Sequence, residues 1–444
     1  MALGVWDRRL FEAVKIYGDK HVLRLLFLGF ASGLPLLLTA STLAVWLTES
    51  GVTKTAIGIF ALVGLPYAFK FLWAPAIDRL PLPFFTKALG RRRGWVVCTQ
   101  LLLILSLLGL GFSDPDRDVL GVALWAFAVA FCSASQDVVI DAYRVEILEK
   151  RLYGAGAATL VFGYRAGLLV AGAGALYLAT YFGWETAYVA MAGLVSVGLV
   201  TILLAPEPVA PEPATPEPAT PEPAARGRDG AAAFDRIRAW LRGAVLAPFQ
   251  DFLTRPQWAI ILLFVVFYKF GDALAGVMAN PFYLEIGFTK IEIANVSKLF
   301  GLGATLFGAL AGGILVARYG ILKSLLVAGI LQMASNAVFA LQAAVGSDLG
   351  LLFVTIGFEN FAGGMGTTAF VAYLSSLCHL SYTATQYALL SSLMSVGRTL
   401  FSAPGGWLAD QVDWIPFFLV TTAAAVPGLL LLLWIQRSPG TALR

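Results

Sequence analysis

Glu49-Ser50-Gly51-Val52-Thr53-Lys54-Thr55-Ala56-Ile57 returns 236 residues further on as Glu285-Ile286-Gly287-Phe288-Thr289-Lys290-Ile291-Glu292-Ile293. Each copy is a short polar break with long apolar stretches on both sides. Arg165 and Arg398 make a second match, each with a glycine close before it (Gly163, Gly397). Both matches run in the same order along the chain, so the two halves are copies in the same orientation. Between them lies PEPVAPEPATPEPATPEPAARGRDG, residues 206–230. A Pro-Glu-Pro-Ala repeat has too little apolar surface to build a core and reads as an extended connection.

The flanking sequence is strongly apolar. Of 444 residues, 59% are hydrophobic and 13% charged, about half the charged share of a soluble domain, and the mean hydropathy is +0.79. Such a chain cannot cover soluble cores with polar surface, which excludes a soluble, disordered or coiled-coil protein. Apolar runs of about 20 residues match the thickness of a bilayer. Twelve spans are expected, at 22–48, 55–79, 94–113, 119–143, 153–180, 184–205, 256–284, 291–317, 321–345, 349–378, 384–410 and 413–436. The expected organisation of this all-α polytopic membrane protein is an N-terminal segment (1–21), a six-helix half (22–205), the connection (206–255), a second six-helix half (256–436) and a tail (437–444). Two parallel six-helix repeats joined by a loop describe the major facilitator arrangement.

Charge gives the orientation. Of the 31 Lys and Arg, 23 fall in the N-terminal segment, the even-to-odd connections and the tail, three in the opposite loops and five inside spans. The excess of positive charge places both termini in the cytoplasm. The net charge of +4 points to no nucleic-acid partner, because the basic residues flank membrane spans. Residues 1–21 are polar and do not read as a cleavable signal peptide. In the connection, Phe234, Ile237, Leu241, Val245 and Leu246 recur at helical spacing with Arg236, Arg238 and Arg242 between them. They form either an amphipathic helix on the cytoplasmic leaflet or a solvated linker.

Three dispersed cysteines and two histidines offer no disulfide scaffold or metal centre. There is no phosphate-binding loop of the Gly-x-x-x-x-Gly-Lys-Ser/Thr kind, so no ATP-driven pump is encoded. Function must lie with the few charges inside the spans: Lys70, Asp137, Asp141, Arg165, Lys269, Asp272, Lys298, Glu359 and Arg398. Unpaired, these nine would cost about 20–30 kcal/mol at roughly 2.5–3.5 kcal/mol each. They fall in spans 2, 4, 5, 7, 8, 10 and 11, while the interiors of spans 3, 6, 9 and 12 carry none. A polar cavity between the halves follows, with the charge-free spans facing lipid.

Asp137 and Asp141 lie four apart, on one helix face. They are either a protonatable pair or fixed counter-ions, Asp141 to Arg144 and Asp137 to Arg165. Arg165 and Arg398 suit carboxylates on a ligand, a guanidinium presenting a planar fork of donors; alternatively they pair with Asp137 and Glu359. Lys269 and Asp272 can neutralise each other. Lys70 lies too deep to snorkel and meets a carboxylate or the ligand, whereas Lys298 is shallow enough to reach the interface. Gln136, Asn360, Thr367 and Thr368 can hydrogen-bond a polar ligand. Trp46, Tyr67, Trp73, Tyr164 and Trp407 are candidates to stack on sugar rings or to anchor at the interfaces. Glycine-rich stretches such as Gly154–Gly156 mark close helix contacts.

Several motifs are recognisable. Gly29-Phe30-Ala31-Ser32-Gly33-Leu34-Pro35, Phe69-Lys70-Phe71-Leu72-Trp73-Ala74-Pro75 leading to Asp78-Arg79, and Gly90-Arg91-Arg92-Arg93-Gly94-Trp95 resemble the AmpG muropeptide permease family. So do Cys132-Ser133-Ala134-Ser135-Gln136-Asp137, Gly163-Tyr164-Arg165, Glu359-Asn360 and Ala384-Thr385-Gln386. The resemblance covers essentially all twelve spans; the Pro-Glu repeat lies outside it. Major facilitators at large share a looser acidic-basic loop after span 2, here Asp78-Arg79 and Arg91-Arg92, separated by a longer gap that contains Pro81 and Pro83.

The resemblance implies a monomeric symporter of the bacterial inner membrane that imports GlcNAc-1,6-anhydro-MurNAc peptides for cell-wall recycling, and thereby feeds β-lactamase induction. It implies no cofactor beyond the proton gradient, and it implies that Gln136, Asp137 and Asp141 matter for activity. Combined with the residue reading, Asp137, Asp141 and Glu359 are expected to couple protons. Gln136, Arg165, Arg398, Lys70, Asn360, Lys269, Asp272 and Tyr164 are expected to bind substrate. Asp78, Arg79, Arg91 and Arg92 are expected to form the conformational loop. A carrier of another bulky anion such as acetyl-CoA is the nearer alternative; a non-transporting membrane enzyme or sensor is the farther one, disfavoured by the internal repeat.

Overall fold

A computed structural model describes residues 15–209 and 247–437. The proposed amphipathic stretch Phe234 to Leu246, and the side chain of Lys298, lie outside the described residues. Each expected span is helical, though not each is one helix. The first is α1 (Lys20–Leu38) followed by α2 (Ser41–Glu49). The second, expected as continuous, is broken into α3 (Lys54–Ile59), α4 (Leu65–Phe69) and α5 (Ala74–Arg79) with 3-10 turns between. Pro66 and Pro75 sit in the first turns of α4 and α5, where a missing N–H costs nothing but the preceding helix cannot continue.

After the short α6 (Phe85–Leu89), the first half is completed by α7 (Arg91–Gly111), α8 (Val119–Ile147), α9 (Tyr153–Leu169) and α10 (Ala175–Leu203). The expected break between spans 5 and 6 lies inside α10, at Gly183 with φ 84° and ψ 164°. The second half comprises α11 (Ala247–Leu253), α12 (Trp258–Phe267), α13 (Phe270–Glu285), α14 (Lys290–Ile293), α15 (Gly301–Tyr319), α16 (Ile321–Val345), α17 (Leu349–Ser376), α18 (Thr383–Gln411), α19 (Trp414–Ala424) and α20 (Val426–Arg437). Among the described residues, nine helical runs are long and apolar enough to cross a membrane, and one of them, Lys150–Leu203, holds two expected spans.

The repeat seen in the sequence is a repeat of local structure. Gly51 and Gly287 both turn the chain at positive φ (71° and 105°) after the first span of each half. Two residues later Thr53 and Thr289 cap the next helix, their hydroxyls accepting from the backbone N–H of Ala56 (3.3 Å) and Glu292 (3.2 Å). Glu292 completes a capping box by accepting from the Thr289 N–H at 2.8 Å. Asp118 and Asp348 likewise cap α8 and α17 through Gly121 and Leu351.

Close packing comes from glycine seams. A Cβ on Gly163 of α9 would overlap the Leu26 carbonyl oxygen of α1, and one on Gly308 of α15 would overlap the Phe361 carbonyl of α17. Backbones this close gain van der Waals contact, which drives association where lipid removes the hydrophobic incentive. The halves meet mainly through α9 against α15 and α17, and through α18 against α4, α5 and α8.

Candidate functional site: the cavity and the closure beneath it

The closure gathers at the end that carries Arg91 and Arg92. Asp78, at the end of α5, is only 2% exposed. Its carboxylate accepts from Arg92 Nη2 at 2.7 Å and, across the seam, from the first turn of α18: Ala384 N at 3.1 Å, Thr385 N at 2.8 Å and Thr385 Oγ1 at 2.7 Å. A carboxylate suits a helix N-terminus, where N–H groups lack partners and the helix dipole is positive. Arg92 also pairs with Glu146 of α8, and Arg91 Nη1 donates to the Asp78 carbonyl. Arg79 lies over the Tyr382 ring, 5.4 Å from its centroid. Arg144 crosses the seam to Ser375 Oγ at 2.8 Å and faces the Tyr387 ring. Tyr17 donates to the Leu310 carbonyl at 2.8 Å; burial pushes its phenol above the ordinary range, so the neutral hydroxyl is the species present.

Above this closure the first half carries an acidic cluster. Asp137 of α8 accepts from Ser32 Oγ at 2.5 Å and lies within electrostatic reach of Lys70, Tyr67 and Tyr164. It is not paired with Arg165. Asp141 is paired with Arg144 at 3.3 Å, and its side chain is 16% exposed. The second half carries Lys269 and Asp272 at 3.2 Å, with Glu359 in electrostatic reach of both.

Arg165 and Arg398 stand apart. Both are exposed, and neither has a carboxylate within 4 Å among the described residues. They lie near enough for their charges to interact, one from each half. At about 1.5 Å of rise per residue, each sits roughly 18–23 Å from the start of its helix, near the middle of its expected span.

Two of the expected ligand contacts lie within the protein's own packing. Gln136 is completely buried, and both its amide atoms lack a partner among the described residues. It is one residue round the helix from Asp137, about 100° away, so the turn that leaves Asp137 half-buried carries Gln136 into the packing. Asn360 is committed to the protein: its Oδ1 accepts from Thr305 Oγ1 at 2.9 Å and its Nδ2 donates to Ile356 O and Glu359. It ties α17 to α15. Thr368 is also fully buried, and Trp46 is 6% exposed, stacked on Trp184 and tilted against Tyr188. Trp73 donates to Ser135 Oγ.

Sequence reasoning missed Glu146, Ser375, Thr385 and Gln332. Span 9, whose interior carries no charge, supplies Gln332, 4% exposed, whose Nε2 donates to Asp272. A search for ionised residues passes over a neutral amide. A buried Gln in an apolar helix was the available signal, since the large majority of buried side-chain polar groups have a hydrogen-bond partner.

A model of the Major Facilitator Superfamily matches the chain twice, over residues 25–271 and 263–444. An anhydromuropeptide permease of Escherichia coli (strain K12) is 44% identical over 424 residues, 95% of this chain and 81% of that protein. The putative transporter AmpG 4 of Rickettsia felis is 36% identical over 425 residues, 95% of this chain and 98% of its own. Among solved structures, the proton:xylose symporter XylE bound to 6-bromo-6-deoxy-D-glucose covers 96% of both chains with a TM-score of 0.62 at 12% identity, a likeness of fold alone.

Proposed function

The chain belongs to the major facilitator superfamily and, within it, to the AmpG permease family, and we propose from that membership that it imports GlcNAc-1,6-anhydro-MurNAc peptides by proton-coupled alternating access. It is a carrier and not an enzyme, it needs no cofactor, and the proton gradient supplies the energy. It sits in the bacterial inner membrane as a monomer with both termini cytoplasmic, serving peptidoglycan recycling and β-lactamase induction. In that orientation the closure at Asp78 and Arg92 is cytoplasmic and the cavity faces the periplasm.

The observation that carries this reading is the meeting of kinship with geometry. The relative is named for anhydromuropeptides, which bear sugar hydroxyls and peptide carboxylates. The site presents two guanidiniums, Arg165 and Arg398, with no carboxylate within 4 Å among the described residues. A substrate carboxylate between them relieves their repulsion and draws the two halves together, which is the motion that alternating access requires. Tyr164 and Lys70 line the first half of the site; Lys269 and Asp272, bridged to each other, line the second. Asp137 and Glu359 take up the proton, Asp137 in reach of Lys70 and Glu359 in reach of Lys269, neither carboxylate forming an ion pair within 4 Å among the described residues. Asp141, held by Arg144, contributes to the field around Asp137.

The test is uptake of labelled anhydromuropeptide by the purified chain in liposomes, with and without an inward proton gradient. Accumulation driven by the gradient is expected. In Asp137→Asn, accumulation is lost while exchange of preloaded substrate persists. Uptake indifferent to the gradient removes the proton coupling, and no uptake of any muropeptide removes the substrate.

A further inference from the structure

The central connection between the halves is anchored at both ends, and both anchors reach the closure. At its start, Glu207 accepts from the backbone N–H of Arg92 at 2.8 Å and of Arg93 at 2.9 Å, capping the first turn of α7. The fit is close: a Cβ on Gly90, at φ 90°, would collide with the Glu207 carboxyl group. Arg93 returns the contact by donating to the Ile202 and Leu203 carbonyls at the end of α10. At the far end of the connection, Gln386 is 1% exposed. Its Nε2 donates to Pro248 O at 3.1 Å and Asp251 Oδ2 at 2.8 Å on α11, and its Oε1 accepts from His379 N at 2.7 Å. Arg255 binds the same Asp251 at 3.0 Å.

The first turns of α7 and α18 are therefore each pinned from behind by one end of the connection. These same two turns hold Asp78 from either side: Arg92 from α7, and Ala384 and Thr385 from α18. First turns are the least secured part of a helix, because their N–H groups have no partners within it. A hydrogen bond formed across the seam in one state only is strong when both sides are already ordered, and weak when its formation must also order them.

We infer that Glu207 and Gln386 are positioning residues for the closure, each preordering one of the two helix starts that Asp78 joins. Neither touches the cavity residues. Loss of either makes the closed end less favourable relative to the open one. The expected change in the open-to-closed ratio is about threefold to tenfold, the range given by a lost cap or charged hydrogen bond felt partly in one state.

The experiment measures a distance in the full-length, substrate-free protein, so it stands apart from the identity of the substrate and rests on the transporter reading only for the existence of two states. Spin labels go on Lys87→Cys and Lys323→Cys, both exposed and on opposite halves at the closed end, after Cys98, Cys132 and Cys378 are replaced by serine. Glu207→Gln and Asp251→Asn, both isosteric, and Gln386→Ala are each expected to enlarge the long-distance population threefold to tenfold. In a Asp78→Asn background, where the shared acceptor is weakened, the same three changes are expected to add less than twofold. Thermal midpoints in detergent establish that each variant is folded. If Gln386→Ala does not fold, the isosteric pair carries the test. Unchanged distance distributions in folded Glu207→Gln and Asp251→Asn would overturn the inference, and so would effects undiminished by Asp78→Asn, which place the residues outside the closure.

Discussion

Replacing Arg165 or Arg398 by glutamine isolates what the cavity asks of its ligand. In most buried arginines, substitution strands a carboxylate, and the cost of that stranded charge swamps any loss at the ligand. Here no carboxylate lies within 4 Å of either guanidinium among the described residues, so nothing is stranded. The bound state loses one charge-assisted contact, worth about 1.5–3 kcal/mol, or roughly 10- to 150-fold in affinity at about 1.4 kcal/mol per tenfold. The assay compares binding of an anhydromuropeptide with that of its analogue amidated at the stem-peptide carboxylates. The unaltered chain is expected to prefer the carboxylate form by that factor, and Arg165→Gln and Arg398→Gln to reduce the preference toward unity while leaving the amide form nearly unaffected. If both variants keep the full preference, the guanidiniums do not recognise the carboxylate and the account of how the halves are drawn together fails.

Three further outcomes follow from packing. Gly163→Ala forces a Cβ into the Leu26 carbonyl and should lower stability by about 1–3 kcal/mol or more, seen as a drop in thermal midpoint in detergent; a midpoint equal to that of the parent would mean α1 and α9 are not held at this separation. Gln332→Leu removes a hydrogen-bond donor from Asp272 and should cost about 1–3 kcal/mol, read in the same assay, with Lys269→Met in the Gln332→Leu background worse than either change alone. Tyr17→Phe deletes one hydrogen bond across the seam and should cost about 0.5–1.5 kcal/mol, observable as faster labelling of a cysteine introduced at Arg165 by a reagent admitted at the closed end; unaltered labelling rates would show that Tyr17 does not restrain the closed end.

The sequence by itself determined the class and the plan of the molecule. Apolar length reports membrane span because the bilayer sets that length. The recurrence of Glu49–Ile57 as Glu285–Ile293 reports a structural repeat because Gly51 and Gly287 must take positive φ and Thr53 and Thr289 must cap, requirements that lie within a few residues of one another. The nine intramembrane charges could be found on the same ground, since their cost is local. What each charge faces could not. Asp137 meets Ser32 and not Arg165, Asn360 is spent on Thr305, and Gln136 is inside the packing, because these outcomes depend on the rotation and approach of helices far apart in the chain. The closure at Asp78 is the clearest case. Its partners Thr385 and Ala384 are 307 and 306 residues away, and only the docking of the two halves turns an acidic residue at a helix end into the cap of a helix in the other half.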